Sequence, residues 1–311
     1  MGNESKKVAV IGTGVIGNGW IIRFLANGFD VVAFDPADGA EERTSAAIDR
    51  AWESVEALGL KEGASKERLT FVSTLEEAVQ GADLIQENVP ERVDVKQAVL
   101  HDIDVHSKSN AIIGSSTSGI KPTDLQEKLK NPEKLVVAHP FNPVYLLPLV
   151  EIVGGEKTTQ NTIDTAYKIY ESAQMKPMVI DKEIEGFIAD RLMEALWREA
   201  LHLVNDGVAT TEEVDKAITY GAGLRWAQMG PFMTFHLAGG DQGMRHMLEQ
   251  FGPALKLPWT KLEAPELTDE LKERVITGCE NFANDRSVEE LERQRNEFLV
   301  KLIDLVEDYW P

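Results

Sequence analysis

The segment Gly12-Thr13-Gly14-Val15-Ile16-Gly17 follows the strand-like run VAVIG directly and opens a helical pattern that reaches about Gly28. No other feature of the chain constrains its fold as strongly. Glycines at the first, third and sixth places of such a turn permit a sharp reversal, close approach of backbone to a phosphate, and close packing of helix on strand. The N-terminus of the helix that follows turns N–H donors and the positive end of its dipole toward the same point. A strand, this turn and a helix make the opening unit of a parallel sheet with crossover helices.

The rest of the first half keeps that rhythm. Runs rich in β-formers, VAVIG, DVVAF, LTFV, DLIQENV, AIIGSST, KLVVAHP and VEIVG, alternate with amphipathic segments from Lys7 to about Ile180. This predicts a Rossmann-type, doubly wound, mainly parallel sheet. From about Ile184 apolar residues recur at spacings of three and four, as in IADRLMEALWREALHLVND and SVEELERQRNEFLVKLIDLVEDYW, so an all-helical C-terminal domain is expected. Gly207 closes the first of these helices, Thr211 can start the next, and Ser287 with Glu290 forms a capping box for the last. The expected organisation is a nucleotide-binding domain over 1–183 and a helical substrate and dimerisation domain over 184–311. The apolar last helix, ending in Trp310, either packs on its own domain or forms the face of a homodimer.

Several classes are excluded by composition. The 311 residues carry 32 Lys+Arg against 52 Asp+Glu, a formal charge of −20 that repels nucleic acid and anionic membranes. No run of apolar residues is long enough to span a bilayer, and the N-terminus passes from polar residues straight into the first strand, without a signal peptide. Cys279 is the only cysteine, which rules out an intramolecular disulfide and a thiolate metal cluster. A cytoplasmic protein without a metal is expected.

The second strand-like run ends in Asp35, 18 positions after Gly17. A carboxylate there can accept from both hydroxyls of an adenosine ribose and repels a 2′-phosphate, so the expected cofactor is NAD rather than NADP.

Six segments carry a further signal: the GTGVIG turn, ENVPERVDVK, SSTSGIKPTDL, HPFNPVYLLPLVEIVGG, EGFIADRLMEAL and GAGLRWAQMGPF. In these the chain resembles the 3-hydroxyacyl-CoA dehydrogenase family along nearly its whole length. The resemblance implies that His139 is the general acid/base and that Glu151, 12 residues later, orients it. It implies that Ser118 hydrogen-bonds the reacting oxygen, and that Glu91 and Lys96 line the nicotinamide ribose. The roles are chemically apt. Hydride transfer from an alcohol requires loss of the hydroxyl proton, and a carboxylate on the far ring nitrogen stabilises the imidazolium that results. On their residue types alone, Ser118 would be an ordinary turn or cap residue, and Glu91 and Lys96 surface charges.

Two departures from the family pattern bear on the substrate. Asp190 stands where the family places a substrate-facing Asn; either it meets a cationic substrate or it pairs with Arg191 or another nearby Arg. Arg225 and Trp226 fall in a stretch that resembles the branch acting on small hydroxy acids. A guanidinium there clamps a carboxylate or forms a structural ion pair. Within that branch the wording is most similar to members that oxidise carnitine, a cationic hydroxy acid. This implies recognition of its quaternary ammonium by aromatic faces, with Phe141, Phe187, Trp197, Trp226 and Tyr145 as candidates and Asp190 as counter-charge. Arg225, or else Lys121, would hold the carboxylate. A 3-hydroxyacyl-CoA or gulonate-type dehydrogenase is the same-class alternative, although 24 acidic against 13 basic residues over 184–311 do not favour CoA phosphates. A non-catalytic NAD-binding protein is the other.

Overall fold

The computed structural model describes residues 6–309 except 228, 240, 242, 254–256, 262–265, 267, 272 and 274–285. Trp310 and Cys279 lie outside the described residues. The chain divides into two compact units, Met1–Ile188 and Ala189–Pro311.

The first unit is built on one eight-stranded sheet of order β3-β2-β1-β4-β5-β6-β7-β8. Its strands are β1 (Lys7–Ile11), β2 (Asp30–Phe34), β3 (Leu69–Phe71), β4 (Leu84–Glu87), β5 (Ile112–Ser115), β6 (Leu135–Pro140), β7 (Leu149–Gly154) and β8 (Lys176–Ile180). Every pairing is parallel except β6 with β7. The expected doubly wound, mainly parallel sheet is therefore present.

Its central strands are near-continuous apolar runs because both faces are covered. On one face Val8, Val10, Val31 and Ala33 pack against α1 (Val15–Ala26), α2 (Ala40–Leu58) and α6 (Gln160–Ser172), with Trp20, Phe24, Trp52 and Tyr170 filling the layer. On the other, Ala9, Ile11, Ile85 and Ile113 meet α3 (Leu75–Val79), α4 (Val93–His106) and α5 (Pro122–Leu125) through Val79, Leu100, Ile103 and Leu125. Strand order reverses direction between β1 and β4, and the carboxyl ends beside this switch point form the crevice where such sheets bind ligands.

One strand escaped the sequence pattern. KPMVI begins with Lys and Pro and carries a single short apolar run, yet it forms β8. It is the last strand of the sheet and pairs with β7 alone, so the N–H that Pro177 lacks is not missed on the open side.

The described part of the second unit is helical: α7 (Ala189–Asn205), α8 (Thr211–Ala217), α9 (Gly223–Trp226), α10 (Pro231–Ala238), α11 (Gly243–Phe251) and α12 (Val288–Tyr309). Gly207, at φ 69°, ends α7. The cap of α8 is Thr210, one residue before the expected start, in a full capping box with Glu213. Ser287 and Glu290 exchange the corresponding bonds ahead of α12. Among the described residues no helix is long and apolar enough to cross a membrane.

Candidate active site

The glycine turn joins β1 to α1, and each glycine has a local reason. A Cβ on Gly17 would lie 1.9 Å from the Gly12 carbonyl oxygen, and one on Gly12 would lie 2.9 Å from the Asn88 carbonyl oxygen. Gly12 also sits at φ 87°. Gly14, the N-cap of α1, faces open space; it offers no side-chain cap, and the first turn holds no acidic residue. The leading N–H groups of α1 are thus left to an anion. Just beyond β2, Asp35 accepts from Thr13 N at 2.7 Å and Thr13 Oγ1 at 3.1 Å through one oxygen, and from Ala37 N at 2.9 Å through the other. The expected ribose-binding carboxylate therefore also fixes the turn. These residues fit a dinucleotide: an uncapped helix end for the pyrophosphate and a carboxylate beside it.

The 12-residue spacing of His139 and Glu151 is explained by the antiparallel pair β6–β7, in which the two are directly opposed. Nδ1 of His139 lies 2.8 Å from Oε2 of Glu151. The carboxylate is fully buried, the imidazole 4% exposed, and Glu151 Oε1 accepts from Ile188 N at 3.0 Å. An ionised carboxylate only accepts, so the proton of the neutral ring sits on Nδ1 and Nε2 keeps its lone pair. Two rings wall the imidazole: Phe141 at 4.8 Å between centroids and Phe187 at 5.6 Å.

Ser118 is exposed, on the loop after β5. Glu91 holds that loop: its Oε1 accepts from Ser118 N at 3.1 Å and from the hydroxyl of Thr117. Lys96 is 1% exposed, and its ammonium reaches Glu87 at 2.8 Å, the Val89 carbonyl at 3.0 Å and Glu91 at 3.4 Å. The ammonium donates to Glu87 and to the Val89 carbonyl and forms an ion pair with Glu91, so Lys96 is a buried support rather than a surface charge. Glu87, Ser115, Thr117, Ser116 and Asn88 were not singled out from the sequence. The visible signal was the polar triplet Gln86-Glu87-Asn88 at the carboxyl end of an apolar strand, where parallel sheets bind ligands.

The expected substrate contacts are distributed over both units. In the first, Phe141 and Tyr145 are half-buried, whereas Phe187 is fully buried at φ 46° and presents no exposed ring surface. Lys121 is 3.3 Å from Glu185, and that hydrogen bond and charge, with Asp124 and Glu183 nearby, raise its pKa above the ordinary value. Its ammonium is engaged inside the chain. In the second unit Asp190 is half-buried in the first turn of α7, Trp197 is exposed on the same helix, and Arg225 and Trp226 are exposed on α9. No group of three His, Cys, Asp or Glu suited to a metal occurs among the described residues.

A Rossmann sheet with a dinucleotide turn at its switch point belongs here to a nicotinamide-dependent dehydrogenase. The model of the 3-hydroxyacyl-CoA dehydrogenase NAD binding domain matches residues 7–184, and that of the same family's C-terminal domain matches 186–277. The chain belongs to this family, and its cofactor is NAD. It is 81% identical, over 98% of its length and all of the relative's, to an L-carnitine dehydrogenase of Oceanobacillus iheyensis. It is 65% identical, over 99% of its length and 95% of the relative's, to an L-carnitine dehydrogenase of Bacillus cereus. A solved 5-formyl-3-hydroxy-2-methylpyridine 4-carboxylic acid 5-dehydrogenase, an NAD-dependent dismutase, matches with TM-score 0.82 at 29% identity, covering 97% of this chain and 99% of that one.

Proposed function

We propose that this chain oxidises the 3-hydroxyl of L-carnitine to 3-dehydrocarnitine, with NAD⁺ reduced to NADH and one proton released. The observation that carries the chemistry is the buried His139–Glu151 pair, in which the carboxylate 2.8 Å from Nδ1 puts the proton of the neutral ring there and the basic lone pair on Nε2. The substrate follows from near-full-length identity to L-carnitine dehydrogenases.

Nε2 of His139 takes the hydroxyl proton as the C3–H bond breaks, and Glu151 stabilises the imidazolium. The Ser118 hydroxyl hydrogen-bonds the reacting oxygen. NAD⁺, when bound, supplies the hydride acceptor at C4 of its nicotinamide. Gly12, Thr13, Gly14, Val15, Ile16 and Gly17 receive its pyrophosphate, Asp35 its adenosine ribose, and Glu91, held by Lys96, its nicotinamide ribose.

Arg225 takes the substrate carboxylate in this reading, as a planar fork suited to bidentate bonding. The trimethylammonium has no N–H to donate. Asp190 supplies a counter-charge, and Phe141, Trp197 and Trp226 supply aromatic faces worth about 0.5–2 kcal/mol each. Phe187 acts by walling His139. The domain division proposed is 1–183 and 184–311. A cytoplasmic homodimer is also proposed; the exposed Leu192, Met193 and Leu196 along α7 support a second copy as partner.

The test is NADH formation with NAD⁺ and L-carnitine, alongside D-carnitine, 3-hydroxybutyrate, L-gulonate and 3-hydroxybutyryl-CoA. Selective turnover of L-carnitine is expected, and should vanish in His139→Ala while NADH binding persists. Activity on the CoA ester or gulonate alone would remove carnitine as the substrate.

A further inference from the structure

Glu87 is a fully buried carboxylate in the NAD-binding unit with no role in the mechanism above. It ends β4 directly opposite Ser115, the end of β5. Its Oε2 accepts from the Ser115 hydroxyl, and its Oε1 from Lys96 Nζ at 2.8 Å and Val89 N at 2.7 Å. The same ammonium lies 3.4 Å from Glu91 Oε2, and Glu91 Oε1 takes the Ser118 N–H. Two carboxylates thus share one cation. The inner one is locked by the sheet; the outer one is half exposed and ends on the backbone of the loop that carries Ser118.

We propose that Glu87 is a positioning residue: by satisfying most of the Lys96 charge from inside, it leaves Glu91 free to hold the Ser118 loop and face the cofactor. This rests on the roles given above to Ser118 and Glu91. A buried ammonium must find an anion. Were Glu87 neutral, Lys96 would draw Glu91 inward, and the Ser118 N–H and Thr117 hydroxyl would lose their acceptor. Ser118 would then drift from the reacting oxygen, and small displacements at a reacting centre are costly in rate.

Glu87→Gln keeps the shape and the acceptor toward Lys96 and Val89 N, removes the charge, and turns the Ser115 contact around so that the amide donates to the hydroxyl oxygen. Expected are a kcat for L-carnitine about tenfold lower with its KM within about twofold, a misplacement effect rather than a binding one. NADH, titrated separately, should bind about fivefold more weakly through the displaced Glu91. Glu91→Gln should reproduce both changes, and the double variant should be no worse than either single one, because the two residues act through one route. Should Glu87→Gln fail to fold, Ser115→Ala loosens Oε2 without touching the charge and should lower kcat about threefold.

A Glu87→Gln enzyme that melts earlier but keeps wild-type kcat and NADH affinity would overturn the proposal, as would single effects that multiply in the double variant, or an unchanged kcat in Ser115→Ala. A wild-type enzyme inactive on L-carnitine would instead sink the functional reading, and the NADH titrations would still decide the role of Glu87.

Discussion

Replacing Glu151 with glutamine preserves the side chain's size and changes two things that the structure allows to be weighed. The first is charge. In the wild type the imidazolium formed during turnover faces a carboxylate across 2.8 Å between heavy atoms, with the charge centres about 4 Å apart; at an effective dielectric of about 20 their attraction is ~4 kcal/mol. At about 1.4 kcal/mol per decade, its loss lowers kcat about a thousandfold. The second is the count of acceptors. The carboxylate oxygens accept from His139 Nδ1 and Ile188 N, among other interactions, and an amide has one oxygen to offer these two. If that oxygen stays with Ile188, the amide NH₂ turns to Nδ1 and forces the ring proton onto Nε2, which can then no longer act as base. If it stays with His139, a buried backbone N–H is left unpaired at about 1–3 kcal/mol. Initial rates at saturating NAD⁺ and L-carnitine, an NADH titration and a melting curve separate these effects. The expected result is a kcat lower by about a thousandfold, NADH affinity within about twofold, and a modestly lower Tm. A folded Glu151→Gln enzyme with less than a tenfold loss in kcat, or with its whole defect in NADH binding, would refute the assignment of the pair to proton transfer.

Three further outcomes test other parts of the site. Gly17→Ala places a methyl 1.9 Å from the Gly12 carbonyl, a backbone clash that no rotamer relieves, so NADH should bind about a hundredfold more weakly, ~2.7 kcal/mol, while the helical second unit keeps its circular dichroism. Asp35→Asn removes the charge that excludes a 2′-phosphate and accepts from ribose; NAD⁺ affinity should fall about tenfold and the preference over NADP⁺ should narrow, both read from KM ratios. At Asp104 burial pushes the carboxyl pKa up, but this is outweighed by hydrogen bonds from the Asn131 side chain and the Asn131 and Lys130 N–H groups and by the Lys134 charge, so the pKa lies below its ordinary value. A depressed folded pKa stabilises above the unfolded value near ~4 and is lost as pH falls through the folded one. Asp104→Asn should therefore lower Tm by about 5 °C at neutral pH, and the gap to wild type should close in strong acid.

Much of the sheet was legible because its signals are local. Seven strands announced themselves as short β-branched runs between turn residues, and the glycine turn could be placed from spacing alone. β8 was hidden, since Lys176 and Pro177 break the apolar run and only pairing with β7 makes the segment a strand. The helix start at Ser287 followed from side-chain chemistry within three residues of the cap, whereas at the start of α8 the same chemistry left the cap one residue off, on Thr211 rather than Thr210.

The amino-acid sequence by itself determined the dinucleotide turn, the acidic residue after β2 and the helical character of the second half, because each depends on residue type at a short spacing; His139 and Glu151 stood out only through the resemblance to a known family. Only the tertiary structure decided which charges are buried and with whom. Lys96 reads as a surface lysine until Glu87 and Val89 enclose it; Phe187 reads as an open aromatic until the chain folds it against His139; Lys121 reads as an available cation until Glu185 comes within 3.3 Å. These outcomes depend on strand register and on contacts between segments up to 64 residues apart, as for Lys121 and Glu185, or 48, as for His139 and Phe187. No residue's own chemistry reports which distant side chain will desolvate it, since that is fixed by how the sheet and its loops close around the buried pair.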